Sequence, residues 1–268
     1  MNSSSSARRC RNMIDGDHLR LEFMTSSEVA LAIASGIRTI VIPCGAVEQH
    51  GPHLPLSVDA DHAEHLGVLV AKGVGGALLA PTIRVGCSSH HLAFPGTISL
   101  RDDTFEMICR DYCTSLARHG FERILIFSAH VGNFPPLAAM LPRLRSAMPA
   151  SCHVSAFTDA RAWLETWRDA VAEAGGEPVK VGGHADIAET SVMLDLHPER
   201  VRTRNYEAGR LGLLSQGDLE LMWRDGLSAV SANGILGDPD GSSATIGRHC
   251  IERIAALLVA GLSHGDPV

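Results

Sequence analysis

The chain contains no Cys-x-x-Cys pair; its seven cysteines are scattered and odd in number. Small buried apolar side chains are the plainest role for such thiols, and they suit a reducing cytosol. No apolar run is long enough to span a bilayer: the stretches Leu66–Pro81 and Ile254–Leu262 are short or broken by Gly or Lys. Residues 1–17 have no apolar core of the kind a secretory signal carries, so a cytoplasmic protein is expected. Basic residues are also in deficit. Lys plus Arg number 23 against 30 Asp plus Glu, a formal charge of −7. This argues against sequence-independent nucleic-acid binding and against docking on anionic membranes. There is no Gly-x-Ser-x-Gly elbow, and Cys44 precedes Gly45 with no base beside it, so serine and cysteine nucleophiles lose their usual context. Neither a Gly-x-Gly-x-x-Gly nor a Walker-type loop occurs; Gly73-Val-Gly75-Gly76 lies before an expected strand, not after one. Aromatics are few, with seven Phe, three Trp and two Tyr, and the 14 histidines outnumber them.

The 268 residues are 45% hydrophobic, enough for one large α/β domain that needs no staple. Residues 1–17 are Ser/Arg-rich and read as a disordered tail, leaving 18–268 as the domain. Met24–Gly36 reads as a capped helix, and Arg38–Pro43 as a buried β-branched strand. Further helices are expected over Asp59–Lys72, Asp102–His119, Asn133–Ser146, Arg161–Ala174, Ala185–Leu196 and Gly247–Leu262. Strands are expected at Ala77–Ala80, Arg123–Ser128 and His153–Phe157. Strands alternating with long helices predict a mainly parallel sheet flanked by helices, whose ligand site lies beyond the strands' carboxyl ends. Ser228–Ser243 is rich in Gly, Asp, Asn and Ser and reads as a long ordered or functional loop.

Chemistry is therefore expected from the residues that follow the strands. After the first strand come Glu48 and His50, two apart and on one side of extended backbone, with Asp59 at the next helix start. After the Arg123–Ser128 strand comes His130. Carboxylates and neutral imidazoles converging from two strand ends suit Zn, Mn or Fe in a hydrolytic site. Taken singly, each is more often a turn or capping residue than a ligand. His184 and Glu189 meet at one site only if His184 precedes its helix, since five helical residues rotate about 500°. Glu189 is followed by a largely apolar stretch, where a charge needs a partner. His90 and His91 lie in a turn-rich loop and are candidates to touch substrate. His62, His65, His119, His153 and His249 lack convergent partners and read as structural or solvent-facing.

Pro43-x-Gly45-x-x-Glu48-Gln49-His50-Gly51-Pro52-His53-Leu54-Pro55, with Asp59, resembles the signature of the creatininase family of metal-dependent amidohydrolases. Phe94-Pro-Gly-Thr97, His130-x-x-Asn133, Glu189-Thr-Ser191 and Gly234-x-Leu-Gly-Asp-Pro239 follow in family order, spanning roughly residues 35–250. The resemblance implies a three-layer parallel-sheet fold, a hexamer-like homo-oligomer and two divalent metal ions, either Zn, Mn or Fe. Asp59 would bridge the metals, Glu48 and His130 would hold one, and His50 the other. His184 would shuttle a proton while a metal-activated hydroxide attacks a C–N amide bond. Glu189 would be a further ligand or a supporting carboxylate. Members act on creatinine, on formamides or on the mycofactocin precursor peptide, so a small-molecule or short-peptide amide is the expected substrate.

The sequence also departs from creatininase. A metal-binding glutamate there falls at Gly132 here, which weakens the second metal site unless Glu189 completes it. A glutamate before the catalytic histidine is Gly183 here. Two tryptophans around creatinine align loosely with Phe157 and Lys180, leaving Phe157 and His91 as the expected substrate contacts. Without those aromatic walls, creatinine itself is a poor candidate. A catalytically impaired binding or assembly subunit is the alternative that Gly132 and Gly183 suggest. A phosphoesterase ranks last, with only Arg84 and Lys180 to hold phosphate.

Overall fold

The computed structural model of the chain describes residues 16–212 and 214–263. Helix α1 (Ser26–Ala34) is started by a capping box in which Thr25 and Glu28 satisfy each other's backbone N–H groups. Next come β1 (Thr39–Cys44), α2 (Val58–Gly73), β2 (Ala77–Leu79), α3 (Asp102–His119), β3 (Arg123–Ser128), α4 (Phe134–Ala147) and β4 (His153–Ala156). The four strands form one parallel sheet in the order β2-β1-β3-β4. The chain continues with α5 (Ala160–Glu173), β5 (Val181–His184), α6 (Ile187–Leu196), α7 (Gln216–Asp225), β6 (Leu236–Gly237) and α8 (Ala244–Ser263).

Successive strand residues point to opposite faces, and both faces of this sheet are covered. Ile40, Ile42, Ile124 and Ile126 face α3 and α4, where Phe105, Cys109, Leu116, Leu137 and Met140 meet them. Val41, Leu125 and Phe127 face Leu66 of α2, Trp163 of α5, Val192 of α6 and Ile254 and Leu258 of α8. Each such side chain, fully buried, contributes roughly 2 kcal/mol of transfer free energy. That two-sided burial is why these strands read as unbroken β-branched runs.

Register fixes where the site lies. β1 and β3 pair from Thr39↔Arg123 to Cys44↔Ser128, so both chains leave the sheet at the same height. Gly45 sits against the backbone of Ala60, where a Cβ would collide with its Cα and N. Asn133 ties the exits together: its amide donates to the Gly45 carbonyl and Ser128 Oγ, both at 3.0 Å, and its Oδ1 accepts from Cys87 N at 2.8 Å.

The expected helices and strands appear with shifts of at most three residues at their ends, and Asp102–His119 and Arg123–Ser128 match at both. Residues 1–15 of the expected tail lie outside the described residues, and Asp17 opens a short 3-10 turn. The expected helix from Ala185 starts instead at Ile187, because Asp186 caps it by accepting from Ala188 N and Glu189 N. Two features were not anticipated. Val181–His184 and Leu236–Gly237 form a separate antiparallel pair, and the second of these lies inside the expected Ser228–Ser243 loop. α7 was also missed. The described cysteines are unpaired; Cys10 lies outside the described residues.

Candidate active site

Glu48 and His50 follow β1, Asp59 is in the first turn of α2, and His130 follows β3; all four are buried. His184 ends β5 and precedes α6, so it and Glu189 face the same centre. Between them Ala185 adopts φ 53, the only non-glycine at positive φ among the described residues, and its N–H donates to Glu189 Oε2 at 2.5 Å. Left-handed backbone at a non-glycine costs about 1–2 kcal/mol, a strain held here between the two functional side chains.

Distances within the cluster are short. His50 Nε2 is 3.3 Å from Asp59 Oδ1 and 3.6 Å from Glu189 Oε2. His130 Nδ1 is 3.3 Å from Asp59 Oδ2, and its Nε2 is 3.4 Å from Glu48 Oε2. Glu48 Oε1 is 3.3 Å from His91 Nε2 and 3.7 Å from His184 Nδ1.

Hydrogen bonding decides which ring atoms are acceptors. His50 Nδ1 lies 3.1 Å from the Glu48 carbonyl, and His130 Nε2 lies 3.1 Å from the Cys87 carbonyl. A carbonyl only accepts, so those nitrogens carry the protons. In the neutral rings, His50 Nε2 and His130 Nδ1 are then lone pairs aimed at carboxylate oxygens. His50 Nε2, Asp59 Oδ2 and both Glu48 oxygens are buried without a hydrogen-bond partner. Converging buried acceptors require a cation between them. Glu48, His50 and Asp59 make one ligand group, and His50, His184 and Glu189 another. The residues therefore fit a metal centre of oxygen and imidazole donors.

Protonation is the alternative to a metal, and the same geometry shifts the titration of these groups. Burial pushes Glu48 up to about 7, against the pull of His130. Burial opposes charge on both imidazoles, yet Asp59 and Glu189 hold His50 well above its ordinary value. Glu48 and Asp59 likewise raise His130 to about 9. Burial and the His50 charge push His184 down to about 3, so it is neutral at pH 7.

A cavity of about 440 Å³ opens from this cluster. Its far wall is apolar, with Leu164, Leu219, Met222 and Trp223 among the lining residues, and no Lys or Arg among the described residues contributes. His91 lines it. Phe157 does not: it packs on Phe134 and Trp163 in the core, because it continues the alternation of β4 onto the face opposite Val154 and Ala156. The aromatic wall is supplied instead by Trp223 of α7, whose ring lies 4.6 Å from that of His90. The sequence carried a signal for α7: Ser215-x-x-Asp218 is a capping box, followed by Leu219, Met222 and Trp223 at helical spacing. Arg84 is tied to Asp61 and Glu64, and Lys180 to Glu177 and Asp240, which removes the cations a phosphoesterase needs.

Gly132 is accounted for by packing. A Cβ there would collide with the rings of His130 and His90, whereas Glu189 reaches His50 from α6. Gly183 has φ 100, a conformation a glutamate adopts only under strain.

Comparisons with known proteins identify relatives of the chain. The family model for creatininase, described as creatinine amidohydrolase, matches residues 22–262. A mycofactocin precursor peptide peptidase of Mycobacterium ulcerans is 35% identical over 233 residues, covering 81% of this chain and 84% of that protein. Creatinine amidohydrolase of Pseudomonas putida is 33% identical over 115 residues, 41% of this chain and 44% of its own. A solved "Creatininase Mn" structure superposes with a TM-score of 0.70 at 23% identity, over 93% of this chain and 99% of that one. The chain belongs to the creatininase family of amidohydrolases, enzymes that hydrolyse C–N amide bonds.

Proposed function

We propose that this protein is a metal-dependent amidohydrolase of short peptides or related amides that carry an apolar group beside the scissile bond. One observation carries the reading: a cluster of unpaired buried acceptors opens into a cavity whose far wall is apolar and, among the described residues, lacks Lys or Arg. Glu48, His50, Asp59, His130 and Glu189 would hold two divalent ions, Zn, Mn or Fe, which supply Lewis-acid polarisation and acidify water when bound. The remaining steps fall to the chain itself. His184 donates its Nε2–H to the Gln49 carbonyl at 2.8 Å, leaving Nδ1 as a proton acceptor toward the centre. It takes a proton from the attacking water and passes it to the leaving nitrogen as C–O forms and C–N breaks. Leu219, Met222 and Trp223 exclude water and seat the apolar group.

The similarity to mycofactocin precursor peptide peptidase supports a peptide, and the Trp223 wall supports a bulky apolar residue in it. Unpaired cysteines among the described residues support a cytoplasmic setting. A homo-oligomer belongs to the same reading, supported by exposed Phe23, Leu31, Met107 and Ile98. No helix among the described residues is long and apolar enough to cross a membrane.

The test is to assay the metal-loaded protein and Asp59→Ala against creatinine, formamides, and short peptides with polar or apolar side chains. Wild type is expected to cleave apolar peptides fastest and to retain bound metal after gel filtration. Asp59→Ala is expected to lose the metal and at least ~10³-fold in rate. Equal metal content in the two proteins, or a preference for charged side chains, would refute the proposal.

A further inference from the structure

Gln49 lies between the two site histidines and is itself buried. Its amide orientation is fixed by two backbone groups that have only one role each. Oε1 accepts from Gly51 N at 2.9 Å, and Nε2 donates to the Gly234 carbonyl at 3.0 Å. Gly234, at φ 75, leaves the space that the amide occupies; a Cβ there would collide with its oxygen, carbon and nitrogen. One Nε2 hydrogen remains. Two ring nitrogens are within reach, His91 Nδ1 at 2.9 Å and His184 Nε2 at 3.0 Å. His184 Nε2 already carries a proton, because it donates to the Gln49 carbonyl at 2.8 Å, and so it accepts nothing. The last hydrogen of Gln49 therefore goes to His91 Nδ1.

The geometry points to a paired tautomer device: Gln49, a positioning residue, makes His91 a hydrogen-bond donor and keeps it out of the metal shell. With Nδ1 accepting, the His91 proton sits on Nε2, 3.3 Å from Glu48 Oε1 at the edge of the cavity. One glutamine thus separates two neutral imidazoles of opposite character. Through its backbone carbonyl it leaves His184 with a lone pair, and through its side chain it leaves His91 with an N–H. The first collects protons. The second offers a hydrogen bond to the amide oxygen as negative charge builds on it. Glu48, His91 and His184 also lie close enough together to form a third ligand group; the proton on His91 Nε2 excludes it.

This inference rests on the hydrolase reading for its use, but not for its test. Ring nitrogens of histidine are distinguished by nitrogen NMR on the zinc-loaded full chain, with His91→Ala used for assignment. Wild type is expected to show His91 protonated at Nε2. Gln49→Glu replaces the donor by an acceptor and is expected to move the His91 proton to Nδ1. Gly234→Ala, which displaces the amide without changing its chemistry, is expected to give a mixture. His91→Ala is expected to keep its full metal content while kcat falls about 100-fold, with KM changed less than about threefold. Loss of metal in His91→Ala would make it a ligand and overturn the inference. So would a wild-type His91 protonated at Nδ1, or a tautomer unmoved by Gln49→Glu. An inert wild type overturns the hydrolase reading instead, and the ring-nitrogen spectrum then decides the tautomer assignment alone.

Discussion

The candidate site is assembled from two regions built on different principles. One is the carboxyl edge of the four-stranded sheet, which delivers Glu48, His50 and His130 from strands paired in level register. Its positions follow from regular secondary structure, with apolar burial on both faces. The other is the β5–β6 pair with α6 and α7, which delivers His184, Glu189 and Trp223. Its two strands bond with an irregular register, and its β5 sequence is Val-Gly-Gly-His. Here position depends on glycines at positive φ, on strained Ala185, and on the Asp186 cap that also accepts from Gly182 N and Gly183 N. The sheet region concentrates unpaired acceptors, while the second region sets protons and shape.

That division can be broken most sharply at His184. His184→Asn is expected to lower kcat by about 10²–10³-fold through loss of a proton-transfer group, with metal content, measured by elemental analysis, unchanged. Loss of metal along with activity would merge the two regions into one function.

A second test uses pH on metal-free protein. His130, raised to about 9 from an ordinary value near 6.5, favours the fold below 6.5, and that stability is lost as pH rises through 9. Glu48, raised to about 7, acts in the same direction at lower pH. His184 and His90, both pushed down to about 3 by burial, favour the fold as neutral rings, so stability also falls as pH drops below 6.5. Calorimetry is expected to show a melting temperature highest near neutrality, falling by roughly 5 °C or more towards pH 9. Adding Zn²⁺ or Mn²⁺ is expected to abolish the alkaline loss, since a cation replaces those protons. An unchanged alkaline limb would separate the metal from the sheet-edge residues.

The smallest effect is expected at the apolar wall. Trp223 is 49% exposed, so Trp223→Ala costs little stability. Its KM for amides with large apolar groups is expected to rise about tenfold, with kcat reduced less. Steady-state kinetics on an apolar and a small polar amide would show whether the wall selects substrate.

Legibility in the sequence followed the same division. Ile40, Ile42, Ile124 and Ile126 announced the central strands because burial on both faces demands unbroken apolar runs. Glu48, His50, Asp59 and His130 then fell where strand ends place ligands. β5 was not legible, since Gly182 and Gly183 carry no strand propensity and their conformation is held by hydrogen bonds to Asp186. Phe157 was assigned to the substrate pocket because alignment gives order along the chain, not the direction of a side chain. Gln49 lay in plain view inside the Glu-Gln-His motif, but its role needs Gly234, 185 residues away.

The sequence by itself determined the parallel sheet, the acceptor-rich strand ends and the family. Each is written in local periodicity or in short motifs, because burial pattern and ligand type are local properties. Only the tertiary structure decided that Glu189 lies beside His50 while Gly132 has no side chain, and that Trp223 rather than Phe157 lines the cavity. It also brought His50, His91, His130 and His184 against the carbonyls and the amide that orient their rings. These depend on contacts between segments far apart in sequence, and a tautomer is settled by the one carbonyl or amide that the fold brings against the ring.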